Sequence, residues 1–419
     1  MEGRRKALWE LVLLVLLLGT GLFLRRRELV LLAIPLAVHL VAGLALAPPQ
    51  WRPRLEVTRV LSATRLVEGE ELEVSLTVEN RGRLLELVSV VDPVPRGWQL
   101  LEGEPKAVRR LPPGEGFTLG YRVRPRRGLY RLERVRLEVR DLLGFTVWQG
   151  ELPCPAELAV LPLGERLRGL TIRPPRTLVA AGTAPARTGG AGVEFFGTRE
   201  YLPGDEVRRI NWKALARRDR LAVNLYQEER AAEVMLVLDV RASAYWDERL
   251  LDYGVRAAAS LVHFLLQEGH RVGLLLYGRH LAWELPGLGR RHRERLLRLL
   301  AQARLGTSAV FTQLTYLPTR FFPAGSQIVL VSPLLPGDEE WIGRAHARGY
   351  AVLVIVPDPG SFYRLTVLPR PEVDLAARLL SLERRVMLRR LLRAGVRVVE
   401  WDVRAPLAPR LAAAATRWR

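Results

Sequence analysis

The side chains whose types and spacing could do chemistry gather in one stretch, Val193 to Glu229, VEFFGTREYLPGDEVRRINWKALARRDRLAVNLYQEE. Glu194, Phe195, Arg199, Tyr201, Asp205, Arg208, Asn211, Trp212, Arg217 and Glu228 crowd around a turn at Pro203-Gly204-Asp205. These groups suit ion pairing, capping and aromatic anchoring, which is recognition chemistry. Asp205 is expected to cap a short helix, its carboxylate accepting backbone N–H groups two or three residues on. Val207, Ile210, Ala214 and Leu215 then lie near one face, and Arg208, Arg209, Lys213, Arg217 and Arg218 largely elsewhere. Leu221, Val223 and Leu225 alternate as a strand does. Trp212 reads as a packed anchor. Two uses stay open for the set: tying this segment to the domain that follows, or docking a partner.

Bond-making motifs fail on inspection. Lys6, Lys106 and Lys213 are the only lysines and none follows a glycine, so no phosphate-cradling Walker loop exists. HExxH and GxSxG are absent, and the histidines at 39, 263, 270, 280, 292 and 346 lack ligand spacing. Cys154, the sole cysteine, sits in Pro-Cys-Pro with no evident base, and it can form neither an internal disulfide nor a cysteine-rich metal cage. The chain is therefore expected not to be an enzyme.

The elements that must position the stretch follow from patterning. Residues 7–24 and 29–47 are apolar runs long enough for a bilayer of roughly 30 Å, so 1–50 reads as a transmembrane hairpin turning at Arg25-Arg26-Arg27. Arg4, Arg5, Lys6, Arg52, Arg54 and Arg59 outnumber those three arginines, which puts the termini and soluble parts in the cytoplasm. Glu10 and His39 interrupt the runs, and His39 shows no partner in the sequence, so it reads as packed or interfacial. Residues 51–165 hold short alternating runs with Gly/Pro turns, as in 72–78, 117–123 and 132–139, and read as a small β-sandwich. Residues 166–192 read as an Ala/Gly/Pro linker and 406–419 as a tail. Between them, 232–405 alternates apolar strands with helices, the signature of a doubly wound α/β sheet whose ligands sit at the carboxyl ends of its strands. Formal net charge is +20 and arginines number 64 − 3 = 61. They are scattered and not interleaved with aromatics, which favours an anionic membrane surface over nucleic acid.

The ordered set Glu194-Phe195, Arg199-Glu200-Tyr201, Gly204-Asp205, Arg208-Arg209-Ile210-Asn211-Trp212, Ala216-Arg217 and Glu228 resembles the signature of the bacterial family called domain of unknown function 58. That resemblance implies a membrane hairpin, a von Willebrand A-like α/β domain and partnership with a MoxR-type AAA+ ATPase, with self-association open. The β-segment resembles immunoglobulin-like modules found beside membranes. Asp239-Val240-Arg241-Ala242-Ser243 stands where von Willebrand A domains carry Asp-x-Ser-x-Ser, a loop that binds magnesium through hard oxygen donors. Here Arg241 replaces the first hydroxyl. Thr307 could supply a second-loop oxygen, and strand 327–332 ends in Ser332-Pro333-Leu334 without the later acid. The metal candidate is thus Asp239, Ser243 and Thr307, and the rival is an Arg241–Asp239 pair that replaces the ion. Two function classes follow: a membrane-anchored scaffold binding protein partners in the assembly or remodelling of complexes, or a metal-dependent extracytoplasmic adhesion protein.

Overall fold

Alternating valines and leucines separated by Gly- and Pro-rich turns fold the first half into strands. The computed structural model describes residues 2–46, 52–141, 147–168, 185–218, 220–229, 233–278, 282–307, 311–317, 322–323, 326–366 and 371–416. They divide into two compact units, Met1–Val160 and Leu161–Arg419.

The first unit begins with helices α1 (Glu2–Phe23) and α2 (Arg27–Leu46). Within α1, Lys6–Phe23 is long and apolar enough to cross a membrane. The two helices fold back on each other closely at the turn, where a Cβ on Gly21 would come within 3.0 Å of Val30 Cγ2. His39 is not alone: its Nδ1 lies 3.1 Å from Glu10 Oε2, and Lys6 Nζ reaches the other Glu10 oxygen at 3.8 Å. The two polar interruptions of the apolar runs thus meet each other, because both stand a similar number of residues from the turn.

Nine strands follow: β1 (Leu55–Leu61), β2 (Arg65–Val67), β3 (Leu72–Asn80), β4 (Leu85–Val91), β5 (Gln99–Gly103), β6 (Lys106–Leu111), β7 (Gly116–Arg124), β8 (Gly128–Arg140) and β9 (Val147–Leu161). They form sheets ordered β1-β3-β7-β5 and β2-β9-β8-β4-β6. Inward residues of both sheets share a core, Leu76 and Val78 from one packing with Val88, Val90, Val135 and Leu137 from the other. Arg59, counted above among the membrane-flanking cations, is buried in this unit. It donates to both oxygens of Asp92 at 3.1 and 2.6 Å and to the carbonyls of Leu132, Cys154 and Arg134, while the Tyr121 hydroxyl donates to Asp92 at 2.8 Å. Cys154 is buried as well, and burial raises its thiol pKa.

The second unit takes in Leu161 and Leu167, which are buried in its core, and Glu165, which accepts the Leu407 N–H and whose own N–H donates to Ser260 Oγ. A long hairpin pairs β10 (Pro185–Glu200) with β11 (Ala222–Glu229), and α3 (Trp212–Arg218) lies between them. The strand thus begins inside the stretch read as a linker; residues 169–184 of that stretch lie outside the described residues. Next come β12 (Glu233–Asp239), α4 (Glu248–Gln267), β13 (Arg271–Tyr277), β14 (Ala282–Gly287), α5 (Arg290–Ala301), β15 (Gln327–Val331), α6 (Asp338–Ala347), β16 (Ala351–Pro357), α7 (Pro359–Thr366), α8 (Pro371–Arg393), β17 (Arg397–Trp401) and α9 (Leu407–Thr416). The sheet order is β14-β13-β12-β15-β16-β17, parallel except at the β14 edge.

Period-two alternation explains the layers. Val234, Leu236 and Leu238 of β12 join a core with α4, α5 and α9, while Met235 and Val237 join a separate core with α6 and α8. The C-terminal stretch expected to be a tail is helix α9. Leu407 and Leu411, four residues apart, put one apolar stripe against the core. From β12 the chain first winds toward β13 and later returns to β15 on the other side, so the carboxyl ends of β12 and β15 flank the topological switch point.

Replacing Arg59 by Met strands a buried carboxylate, so it should destabilise the first unit by about 3–5 kcal/mol. Arg59→Met combined with Asp92→Leu should recover most of that loss. Hydrogen exchange at the β3 and β8 amides under rising urea measures both; equal losses in the single and double variants would contradict the pairing.

Candidate functional site

Two constellations stand out in the second unit. The first is at the switch point. Asp239 ends β12 and is fully buried, and Arg241, two residues on, is 1% exposed. Both oxygens of Asp239 take the guanidinium, from Nε at 3.0 Å and Nη2 at 2.8 Å. Asp338, the first residue of α6, takes it from the other side, from Nη1 at 3.0 Å and Nη2 at 2.7 Å, and the Thr312 carbonyl accepts from Nη1 at 3.1 Å. Each of the five N–H groups a guanidinium owns therefore has an acceptor. Ser332 Oγ donates to Asp239 at 2.7 Å and accepts from Leu334 N at 3.0 Å, and Asp338 Oδ2 accepts Leu335 N at 2.8 Å. Tyr245 donates its hydroxyl to the Asp239 carbonyl at 2.8 Å.

Backbone geometry makes room for this. Gly278, after β13, has φ +148°, and a Cβ there would meet Arg241 N at 2.4 Å, so the close approach requires glycine. Two carboxylates and one guanidinium leave one surplus negative charge. Burial accordingly raises the Asp338 pKa, against the lowering effect of Arg241 and with a further raising effect from Asp239. For Arg241, burial pulls down and the bonds to Asp239 and Asp338 push up, with a net rise above its ordinary value.

A divalent cation does not fit these residues. The oxygens it would need on Asp239 and Asp338 already hold a fixed positive charge within about 3 Å, and a second cation there would be repelled in a low-dielectric pocket. Ser243 and Thr307 are both exposed, and the hydroxyl bonded to Asp239 is that of Ser332. Among the described residues no three His, Cys, Asp or Glu side chains are grouped to hold a metal. The acid expected after the fourth core strand does exist. It is Asp338, seven residues beyond β15, and its place in the first turn of a helix gave the sequence no reason to pair it with Asp239.

The second constellation is the signature segment. Asp205 does not cap a helix. Its carboxylate accepts from Arg199 at 2.8 and 2.6 Å and from Leu202 N at 2.9 Å, closing the turn in which Gly204 has φ +106°. The expected single helix is split into a 3-10 turn at Val207–Arg209 and α3, because Ile210 is extended and pairs with Val223. Asn211 caps α3, accepting from Ala214 N at 2.9 Å while donating to Asn224 at 2.8 Å. Tyr201 N bonds the Leu221 carbonyl and Asn211 N the Ala222 carbonyl, pinning the base of this lobe to β11. Tyr201 is half-buried, and Arg208 is exposed and paired with Glu206. The backbones of Glu194, Phe195, Arg217 and Glu228 lie in β10, α3 and β11, and their side chains are outside the described residues.

Trp212 is not a packed anchor: it is 60% exposed. Leu202 at 59%, Val207 at 63% and Leu221 at 44% are also open. Arg199, Asp205 and Asn211 fix the shape of the segment, and these four apolar residues face outward while Val223 is buried.

Residues 197–361 match the model of a family described as "Protein of unknown function DUF58", and the chain carries that domain. "Uncharacterized protein YeaD" of Bacillus subtilis (strain 168) is 26% identical over 253 residues, 59% of this chain and 62% of that protein. "Uncharacterized protein Rv1480" of Mycobacterium tuberculosis is 34% identical over 118 residues, 27% of this chain and 37% of that one. The chain thus spans less than two thirds of either relative. Among solved structures, the cupredoxin domain of amoB from Nitrosocaldus yellowstonii aligns at 13% identity over 27% of this chain and 90% of its own, with a TM-score of 0.20.

Arg241→Met should cost about 3–5 kcal/mol by stranding two buried carboxylates. The deficit should depend on pH with a defined sign. Asp338 already has a folded pKa above its ordinary value near 3.8, and loss of Arg241 raises it further. The folded variant then keeps a proton that the unfolded chain releases, so its stability is greatest near pH 4 and falls as pH rises through the raised value. Urea unfolding at pH 4–8 measures this; a deficit independent of pH would contradict the buried pair.

Proposed function

We propose that this chain is a membrane-anchored scaffold that binds protein partners in the assembly or remodelling of complexes and catalyses no reaction itself. The observation that carries the reading is the signature lobe, with four large apolar side chains held out to solvent on a base fixed by ion pairs and backbone bonds. Exposed tryptophan on a pre-ordered segment is a costly feature for a free surface and an effective anchor in an interface. Its partner is a MoxR-type AAA+ ATPase, the class that the resemblance of the segment implies. In this reading the β-rich region is an immunoglobulin-like spacer and the α/β region a von Willebrand A-like domain whose cation site has become an internal ion pair.

The helices α1 and α2 form a two-pass anchor, with the soluble parts in the cytoplasm. Six flanking cations against the three of the turn support that orientation. The adhesion reading needs an open cation site, and the saturated Arg241 network argues against it.

The test is crosslinking and affinity capture of the tagged full-length protein from native membranes. An AAA+ ATPase should accompany the natural protein. The Val207→Ser/Trp212→Ala variant should recover at least tenfold less of it, while Leu285→Ser, on an exposed position of β14, should recover as much as the natural chain. Capture without any AAA+ ATPase, or undiminished capture by the lobe variant, would reject the reading.

A further inference from the structure

Beside the Arg241 network, a cavity of about 870 Å³ opens at the carboxyl ends of β12, β15 and β16. The loops after those strands form its walls, together with α7 and the C-terminal half of α8. Trp246, Tyr363, Leu334, Leu335, Val386 and Met387 make it largely apolar. The ring of Trp246 is set by edge contact with Tyr363, the centroids 5.2 Å apart. This is the crevice at which open α/β sheets hold ligands, and its volume falls within the range of roughly 300–1,000 Å³ typical of ligand sites.

One wall is strained. Leu334 has φ +62°, a left-handed conformation uncommon for leucine, and is held there by Ser332 Oγ on its N–H. Such strain persists where the surroundings over-determine it, and it clusters at ligand sites. The preceding residue, Pro333, accepts a hydrogen bond at its carbonyl from Arg384 of α8.

Arg384 points to the ligand. Its side chain is 12% exposed and lines the cavity. Nη1 donates to Asp358 at 3.2 Å and Nη2 to Pro333 O, so three of the five N–H groups have no acceptor among the described residues. Burial lowers its pKa, with Asp358 and Glu400 opposing. Arg241 supplies the comparison inside the same domain. There the guanidinium bonds two carboxylates and every donor is used, whereas Arg384 bonds one carboxylate, with Glu400 acting on it only by its charge, and keeps spare donors at the edge of the cavity. What it lacks is a second oxyanion.

We propose that this cavity binds the carboxyl terminus of an apolar polypeptide segment. Its terminal carboxylate would meet Arg384, and its last side chains would pack against Trp246, Leu334 and Met387. The inference rests on the reading of the chain as a protein-binding scaffold and adds a second, chemically distinct site to it. A polypeptide fits better than a fatty acyl chain because the lining carries acceptors for backbone N–H groups. The Glu383 carboxylate, which has no ion pair among the described residues, is such an acceptor, whereas Glu339 is already engaged by Arg390 at 3.3 Å and by the Gly337 N–H at 2.8 Å.

The experiment uses full-length protein in nanodiscs. The probes are acetylated tetrapeptides with Val, Leu, Ile or Phe at the last two positions, each as free acid and as C-terminal amide, with dodecanoate alongside. Binding is screened by saturation-transfer NMR and quantified by calorimetry. At least one free acid should bind at micromolar concentration, with its amide at least tenfold weaker. Arg384→Met should abolish the preference for the acid, Arg384→Lys should keep part of it, and Trp246→Ala should weaken acid and amide alike. The proposal is overturned if no acid outbinds its amide, if the preference survives Arg384→Met, or if dodecanoate displaces every peptide. Failure here, with AAA+ capture through the Trp212 lobe intact, rejects the cavity alone and leaves the scaffold reading standing.

Discussion

The Arg241 guanidinium, clamped between Asp239 and Asp338, is the interaction on which the rest of the α/β unit depends. It joins the end of β12 to the start of α6, and through Thr312 to the segment that follows α5. Ser332 brings the end of β15 into the same network. Three pieces of chain far apart in sequence, around residues 239, 312 and 332–338, therefore meet in one network at the switch point of the sheet. Leaving any of these charges without its partner would strand the others in a low-dielectric interior, so the arrangement is held as a unit.

A second consequence is chemical. A metal ion at such a place can exchange ligands and bridge to a partner's carboxylate, but a saturated guanidinium can do neither. Its charge is spent inside the domain. In the proposed scaffold reading, recognition comes from other surfaces, and two differ in character. The signature lobe holds Trp212, Val207 and Leu202 outward on a base fixed by Arg199–Asp205 and by backbone bonds to β11. The cavity by α8 is concave and apolar, with Arg384 short of acceptors. The clamp bears on the second directly, because Leu334 and Leu335, which line it, are held through Ser332 and Asp338.

Much of this was legible from residues alone. Continuous apolar runs such as Val234–Leu238 located the parallel strands, and the alternation in 72–78 located a β3 that runs two residues further, because such patterns reflect which faces are buried. The Arg241–Asp239 pair was legible too, two residues apart at a strand end. Asp338 was not, since contact across 97 residues of sequence leaves no local mark. Asp205 was misread for a related reason. The capping rule rests on short-range geometry, and the carboxylate instead met Arg199, six residues back on the neighbouring strand. Trp212 was misplaced because apolar character alone does not separate a side chain that packs inward from one held at the surface. The same ambiguity applied to Arg59, which flanks the membrane run in sequence and lies inside a β-core in space.

The most direct test of the central claim, that an internal guanidinium stands in place of an exchangeable ion, is manganese binding followed by electron paramagnetic resonance on full-length protein and on Arg241→Ser, which restores a hydroxyl between Asp239 and Ser243. The account predicts no bound manganese in the natural chain at millimolar concentration and one bound ion in the variant. One tightly bound ion in the natural chain would contradict it.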